Sequence, residues 1–296
     1  MKLYAPSYYL DFTCIADRCR HTCCIGWEID IDSDTMQAYK TLSNGYGVEI
    51  QKSIDVEDTP HFRLDANERC PHLDARGLCK IILHLGEDHL CEICREHPRF
   101  YHNTPNGREV GIGMACEEAA RLILSSDTYA TFVPVDEIDG DAEPLEFDAV
   151  AHRASIYAIL SNRTLPYAER LKQISDAWDV SPTAYGDNEW HDLLDRLEYL
   201  DETHKALFSA YSSAMEPTKN ALILERALAY FIFRHCSDAY DADNFRASLG
   251  FSLFCERLLA SIAKESDNDI VTLARIVSEE LEYSEDNTDE IKWMFA

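Results

Sequence analysis

The stretch C-I-A-D-R-C-R-H-T-C-C, from Cys14 to Cys24, places four cysteines within eleven residues. Two of them, Cys23 and Cys24, are adjacent. Disulfide pairing, metal binding, thiol redox chemistry and chance are the explanations that the rest of the chain must separate. Nine of the eleven cysteines lie between Cys14 and Cys116, so they decide how the first part of the chain folds.

The composition is that of a globular protein with a strongly acidic surface. The 296 residues carry a formal net charge of −27 at pH 7, and no basic stretch is visible. Nucleic acids and anionic membranes are bound by clustered Lys and Arg, so we expect neither as a partner. A lysine-bearing partner would be attracted by this charge, although acidity that serves only solubility is the simpler interpretation.

The compartment predicted from the sequence is the cytoplasm. The chain shows no secretory signal at its start and no run of about 18 apolar residues that would span a membrane. A reducing cytoplasm argues against a disulfide framework. The odd number of cysteines also leaves at least one thiol unpaired.

The cysteines divide the chain into predicted domains. We predict a mainly α protein in which an irregular Cys-rich metal-binding module with a few short strands, residues 1–127, packs on a helical domain, residues 148–296. The acidic segment 128–147 contains two prolines and is the predicted linker. Cys236 and Cys255 fall in apolar helical settings, where a free cysteine acts as a small core residue.

Local patterns predict the elements within each part. A strand is expected at Trp27–Asp32, followed by a helix that Ser33 or Asp34 caps and that runs to about Leu42, and a further strand is expected at His61–Leu64. The run from Ala221 is apolar nearly all round, which is typical of a central buried helix. Short helices are expected at Cys79–Leu85 and His89–Glu96, and further helices at roughly 148–162, 166–178, 187–215, 218–236, 243–265 and 267–283.

Several cysteines have the spacing of metal ligands. Cys91 and Cys94 are three residues apart, which on a helix places both sulfurs on one face. Cys70 and Cys79 flank a turn, and Cys116 begins a helix, whose dipole lowers a thiol pKa. Close spacing lets one loop or helical turn supply two thiolates to a tetrahedral site. The pattern therefore favours metal or iron–sulfur binding over buried core thiols.

The spacing leaves the kind of metal open, because zinc and iron–sulfur clusters both accept all-thiolate ligation. The radical-SAM loop Cys-x3-Cys-x2-Cys is not present, since Gly26 stands where its third cysteine would be. A thioredoxin-type role for Cys91 and Cys94 lacks a βαβ context. Five histidines among the cysteines are further candidate ligands for zinc, each more simply explained as a surface or hydrogen-bonding residue: His21, His72, His84, His89 and His97.

Four blocks together resemble the flagellin lysine-N-methylase (FliB) family. They are F-x-C-x4-C-x3-C-C-x-G-W from Phe12, C-P-H-L-D-A-R-G-L-C-K-I from Cys70, L-G-E-D-H-L-C-E-I-C-R-E-H-P-R from Leu85 and C-E-E-A-A-R-L-I-L from Cys116. The first two blocks are also similar, more loosely, to a family of Cys-rich proteins described as chelating zinc or iron. The resemblance covers residues 1–125 most strongly.

The resemblance implies an enzyme that methylates lysine side chains of flagellin, or of another lysine-bearing protein, with S-adenosylmethionine and a [4Fe–4S] cluster. It implies that the cluster ligands come from the matched cysteines: Cys14, Cys19, Cys23 and Cys24, with Cys70, Cys79, Cys91, Cys94 and Cys116 as further candidates.

Two other functions fit the same residues. The first alternative is a non-catalytic scaffold or interaction protein in which the cysteines hold structural zinc. The second is an electron-transfer or redox-sensing iron–sulfur protein. The catalytic and S-adenosylmethionine-binding residues are not identified by the sequence. The nearest glycine-rich segment, G-I-G-M-A-C from Gly111, lacks a third glycine and is interpreted as loop and strand.

Overall fold

The computed structural model describes residues 1–43, 45–105, 107–138, 146–214 and 220–296. It contains two compact units. The larger unit combines Met1–Phe12 with Phe100–Ala296, and the smaller unit is Thr13–Arg99. The chain is mainly α-helical, as predicted. Within the described ranges, no helix has the length and apolar character needed to cross a membrane.

The described residues form six strands. In chain order they are β1 (Lys2–Pro6), β2 (Ile54–Asp55), β3 (His61–Phe62), β4 (Arg99–Thr104), β5 (Gly107–Ile112) and β6 (Phe132–Glu137).

Thirteen α-helices are found in the same part of the chain. They are α1 (Ser33–Thr41), α2 (Gly45–Ser53), α3 (Lys80–Leu85), α4 (Glu92–Glu96), α5 (Glu117–Ser125), α6 (Ala149–Leu160), α7 (Tyr167–Trp178), α8 (Asp187–Leu194), α9 (Thr203–Phe208), α10 (Ala221–Cys236), α11 (Ala242–Glu265), α12 (Ile270–Glu282) and α13 (Glu285–Trp293).

The larger unit begins with a four-stranded mixed sheet in the order β4-β5-β1-β6. Strand β1 pairs in parallel with β5, with Leu3 opposite Arg108, and antiparallel with β6, with Leu3 opposite Asp136. Segment G-I-G-M-A-C ends β5 and leads into α5, in agreement with its interpretation as loop and strand.

This sheet differs from the predicted organisation in two ways. The first twelve residues and residues 100–127 lie in the larger unit, although we placed them in the Cys-rich module. Strand β6 lies inside the segment predicted as a linker, 128–147, of which 139–145 fall outside the described residues. This strand contains the apolar residues Phe132, Val133 and Val135, but Pro134 and the acidic charge of the segment concealed the strand signal.

Helix α10 forms the centre of the larger unit, as its apolar run predicts. It packs against α5, α6 and α11, and its side chains from Ala227 to Phe233 are all buried. Cys236 and Cys255 are fully buried in the same core. Their environment agrees with their interpretation as small core residues.

The helix predicted over 187–215 is instead split into α8 and α9. Backbone groups between α8 and α9 are hydrogen-bonded by side chains of α12 and α13. The Glu280 carboxylate accepts hydrogen bonds from the backbone N–H of Leu200 at 2.7 Å and of Asp201 at 3.2 Å. The Asn287 amide bonds the N–H and C=O of Glu198 at 3.0 and 2.7 Å. These tertiary bonds satisfy the backbone without a helix, which local sequence cannot reveal.

A buried carboxylate organises one side of the helical core. Glu225, on α10, has no exposed side-chain surface. Its oxygens lie 2.6 Å from Arg170 Nη1 and 2.9 Å from Arg163 Nη2, and accept a hydrogen bond from the Tyr129 hydroxyl at 2.9 Å. The charge of Glu225 is therefore paired and hydrogen-bonded, which is the condition for burying a carboxylate at tolerable cost.

We expect Glu225→Gln to destabilise the protein by about 3 kcal/mol, because it leaves the buried Arg170 guanidinium without its counter-charge. Urea unfolding followed by circular dichroism measures the change. Lys172→Ala is the control, since Lys172 forms an exposed pair with Asp176, and its curve should overlay that of the wild type. Equal curves for Glu225→Gln and the wild type would contradict the assignment.

The Thr13–Arg99 unit is built around a small core. Its buried apolar side chains include Ile31, Tyr39, Ile50 and Phe62, and the cysteines Cys70 and Cys91 belong to the same cluster. Strands β2 and β3 pair antiparallel, which confirms a strand at His61. The strand predicted at Trp27–Asp32 is reduced to a single bridge between Asp30 and His61.

Candidate metal centre

Helix α4 places the Cys-x-x-Cys pair at its start. Cys91 is the N-cap residue and Cys94 lies in the first turn, where its N–H bonds to the Cys91 carbonyl at 3.0 Å. The two thiols are hydrogen-bonded to each other, and this bond lowers the pKa of Cys91 while it raises that of Cys94. The three-residue spacing thus brings both sulfurs together, as predicted.

A tight turn places Cys70 and Cys79. The Asp74 carboxylate accepts hydrogen bonds from the N–H of Arg76 at 2.8 Å and of Leu78 at 2.9 Å, which closes the turn between the two cysteines. Cys79 is then the N-cap residue of α3. Burial, with a smaller contribution from nearby cysteine sulfurs, raises the pKa of Cys70 to about 12.

Cys24 is attached to this turn through the backbone. Its carbonyl accepts a hydrogen bond from the N–H of Cys70 at 2.8 Å, and Ile25 forms a bridge with Arg69. Hydrogen bonds from the side chains of Cys23 and Thr22, together with the charge of Arg69, lower the pKa of Cys24 to about 7 despite its burial.

Five cysteines form one group, which we call the thiol cluster. The electrostatic neighbours of Cys70 include Cys24, Cys79 and Cys91, and those of Cys94 include Cys91, Cys24 and Cys70. All five lie in, or pack against, the small core of this unit. The thiol cluster consists of Cys24, Cys70, Cys79, Cys91 and Cys94.

The donor chemistry of the thiol cluster fits a thiophilic metal. All of the chain's cysteines lie in described residues, and none is paired in a disulfide. Thiolates in a group of mutually close, largely buried cysteines would repel one another in the absence of a cation. A bound cation removes that repulsion and takes thiolates as ligands. Four of the five thiols would suffice for zinc or for a [4Fe–4S] cluster.

Asp32 links two helices that carry or support the thiol cluster. Its carboxylate accepts hydrogen bonds from the N–H of Thr35 at 2.9 Å, at the start of α1, and from the N–H of Glu92 at 2.8 Å, at the start of α4. We predicted Ser33 or Asp34 as the cap of α1, and the structure corrects this to Asp32. Its contact with α4 spans sixty residues of sequence, so no local signal identifies it.

His72, the histidine nearest to Cys70 in sequence, is hydrogen-bonded within the core of this unit. His72 is almost fully buried, with Nδ1 2.8 Å from the Tyr46 hydroxyl and Nε2 2.8 Å from the Ser53 hydroxyl. Burial lowers its pKa to about 4. Both of its ring nitrogens are therefore occupied, in agreement with its interpretation as a hydrogen-bonding residue.

Four other predicted ligands are not assigned to the thiol cluster. Cys14 and Cys23 are exposed, the Cys23 side chain is hydrogen-bonded to Cys24 of the thiol cluster, and the Cys19 thiol donates to the His21 carbonyl at 2.6 Å. Cys116 belongs to the larger unit, where it is the N-cap residue of α5. Their role as ligands stays a prediction from the resemblance.

Comparison with curated proteins supports the resemblance that the four sequence blocks indicate. A segment of 129 residues, 40% of this chain, is 28% identical to a protein named lysine-N-methylase from Salmonella choleraesuis, and equally so to its namesake from Salmonella typhimurium. The chain is similar to lysine-N-methylases. It is also 27% identical to the flagellar biosynthetic protein FliU of Salmonella muenchen.

The extent of this similarity is limited. The aligned segment spans 32% of the length of each lysine-N-methylase and 75% of FliU. No protein-family model and no solved structure matches the chain. The comparisons therefore support a distant relationship to this family, whereas the thiol cluster is defined by the structure.

We expect Asp32→Ala to destabilise the Thr13–Arg99 unit by about 1–2 kcal/mol, because two helix-starting N–H groups lose their acceptor. Hydrogen exchange of the Thr35 and Glu92 amides reports the loss directly. Asp34→Ala is the matched control, since Asp34 lies in the same turn of α1 without capping it. A larger effect of Asp34→Ala than of Asp32→Ala would show that the cap is wrongly assigned.

Proposed function

We propose that this chain is a protein-lysine N-methyltransferase of the flagellin lysine-N-methylase type, which uses S-adenosylmethionine and holds a [4Fe–4S] cluster on its cysteines. The observation that carries the proposal is the convergence of five thiols from distant segments in a chain that is similar to lysine-N-methylases. The proposed substrate is flagellin or another lysine-bearing protein.

The thiol cluster supplies the proposed metal ligands. Cys91 and Cys94 would bind from one helical turn, Cys70 and Cys79 from the two sides of the Asp74 turn, and Cys24 from the segment hydrogen-bonded to Cys70. A [4Fe–4S] cluster bound there would supply a redox-active centre as well as a covalent link between these segments. Cys24, whose pKa is lowered to about 7, would be readily ionised for this role near neutral pH.

Methyl transfer to lysine sets requirements that the protein itself must meet. The ε-amine must be neutral and in line with the methyl group of the sulfonium donor. Burial of the amine lowers its pKa and removes the proton that would block attack. The net charge of −27 favours the approach of a lysine-rich substrate before that step.

A structural zinc protein is the second candidate, and the size of the core favours it. The Thr13–Arg99 unit contains a small apolar core in which the buried cysteines themselves take part. Small domains of this kind commonly need a metal or disulfides for stability. On this hypothesis the chain is a scaffold or interaction protein without methyltransferase activity.

Metal content separates the two candidates. We expect protein purified without oxygen to contain about four irons and four sulfides per chain, with broad absorbance near 400 nm. The double variant Cys91→Ala/Cys94→Ala should abolish that absorbance, because it leaves three thiols of the thiol cluster where a [4Fe–4S] cluster needs four ligands. Cys236→Ala is the control, since Cys236 is a buried core thiol of the other unit. Stoichiometric zinc without sulfide, even after anaerobic reconstitution, would replace the iron–sulfur proposal with the zinc scaffold.

The activity itself is tested with purified flagellin and S-adenosylmethionine. We expect mass spectrometry of the flagellin to show added methyl groups on lysine, and none in reactions without the donor. Flagellin whose lysines have been chemically acetylated is the control substrate, because acetylation removes the nucleophile. Metal-loaded protein that leaves flagellin unmodified would refute the proposed activity even if the cluster is present.

A further inference from the structure

A second candidate site lies in the larger unit, on residues that the sequence analysis did not single out. It is a cavity of about 500 Å³ between strands β4 and β5, the turn that follows α10, and the segment before α6. This volume is within the range of small-molecule sites in proteins. Its lining includes Tyr101, His102, Arg108, Glu146, Phe147 and Asp238.

Two lining side chains have buried polar atoms with no hydrogen-bond partner. His102 is only 6% exposed; its Nδ1 lies 3.4 Å from Asp238 Oδ2, and its Nε2 has no hydrogen-bond partner. Nε of Arg108 is likewise buried and without a partner. Buried polar groups are almost always satisfied in folded proteins, so two such residues on one cavity indicate groups that a ligand completes.

The positions of these side chains are fixed by their neighbours. The His102 ring lies against Phe100 and Phe233, with centroid separations of 5.2 and 5.6 Å. The Arg108 guanidinium lies over the Tyr101 ring, 5.0 Å from its centroid. These contacts restrict the rotation of both side chains, which reduces the entropy lost on binding.

The charges of the cavity restrict the ligand further. Arg108 carries a positive charge, and its Nε–H group could donate a hydrogen bond to a carboxylate oxygen of a ligand. Asp238, whose Oδ2 lies 3.4 Å from His102 Nδ1, and Glu146 are exposed carboxylates on the same cavity. A purely anionic ligand would be repelled by these two carboxylates, and a purely cationic one by Arg108. A ligand with both charges is complementary to the whole set.

We propose that this cavity binds a small zwitterion with an α-amino carboxylate head, its carboxylate at Arg108 and His102 and its ammonium at Asp238 and Glu146. Phe147 and Tyr101 supply the aromatic surface for an apolar or aromatic tail. Free amino acids and S-adenosylmethionine share this head group. The inference rests on the cavity alone, and only the choice of the methyl donor as first ligand rests on the proposed function.

Isothermal titration of the full chain tests the proposal with S-adenosylhomocysteine, L-methionine and L-lysine as probes. We expect at least one of them to bind, and 3-(methylthio)propylamine, which lacks the carboxylate, to bind at least about tenfold more weakly than methionine. Binding of S-adenosylhomocysteine alone identifies the methyl-donor site, and binding of a free amino acid identifies an amino-acid site. Failure of all three probes to bind would overturn the proposal.

Variants locate the binding. Arg108→Met and Asp238→Asn should each weaken the binding of the best probe by about tenfold, because each removes one charge-assisted contact. Arg196→Met is the control, since Arg196 is exposed and paired with Glu290 away from the cavity. Unchanged affinity in both cavity variants, with native circular dichroism, would exclude this cavity. Lysine methylation with an unchanged KM for S-adenosylmethionine in Arg108→Met would refute the cavity as donor site and leave the proposed function standing.

Discussion

The constraint on which the Thr13–Arg99 unit depends is the burial of several thiols in a core with few other side chains. Cys70 and Cys91 are buried with Ile31, Ile50 and Phe62, so sulfur takes the place of apolar side chains that a larger domain would use. The packing of a thiol depends on its protonation state. Protonated thiols pack as small apolar groups, whereas ionised thiols need a cation to offset their mutual repulsion. The unit therefore couples its packing to whatever the thiols bind.

Hydrogen bonds of residues other than the thiols themselves hold the backbone segments that carry the thiols. The Asp74 carboxylate shapes the turn between Cys70 and Cys79, and the Asp32 carboxylate joins the starts of α1 and α4. The Cys24 carbonyl is fixed to the N–H of Cys70. Because these bonds set the backbone, they orient the sulfurs before any ligand binds, which is the usual function of groups around a metal site.

The larger unit depends on carboxylates in the same way. Glu225 pairs with arginines inside the helical core, and Glu280 binds the backbone between α8 and α9. A chain of net charge −27 contains many carboxylates, and some of them are buried on folding. Those that are buried meet arginine or backbone N–H donors, since an unpaired buried charge would cost more than the fold can offset. Among the described residues of this unit, His102 Nε2 and Arg108 Nε are buried polar atoms without a hydrogen-bond partner that belong to residues lining one cavity.

The sequence by itself determined which residues are candidate metal ligands and much of the local structure around them. Spacing brought Cys91 and Cys94 onto one helical turn, turn residues indicated the loop between Cys70 and Cys79, and apolar periodicity identified α10 as the central helix. These features depend on residues a few positions apart. The motifs also led to the lysine-N-methylase resemblance that the comparisons support in part.

Only the tertiary structure decided which parts belong together. It joined the first twelve residues to the sheet of the larger unit, turned part of the expected linker into strand β6 and split the helix expected over 187–215. It also brought Cys24 close to Cys70 and Cys94, and it placed His102 and Arg108 on one cavity. Each of these outcomes depends on hydrogen bonds and packing between residues far apart in sequence, and periodicity and spacing report only on neighbours along the chain.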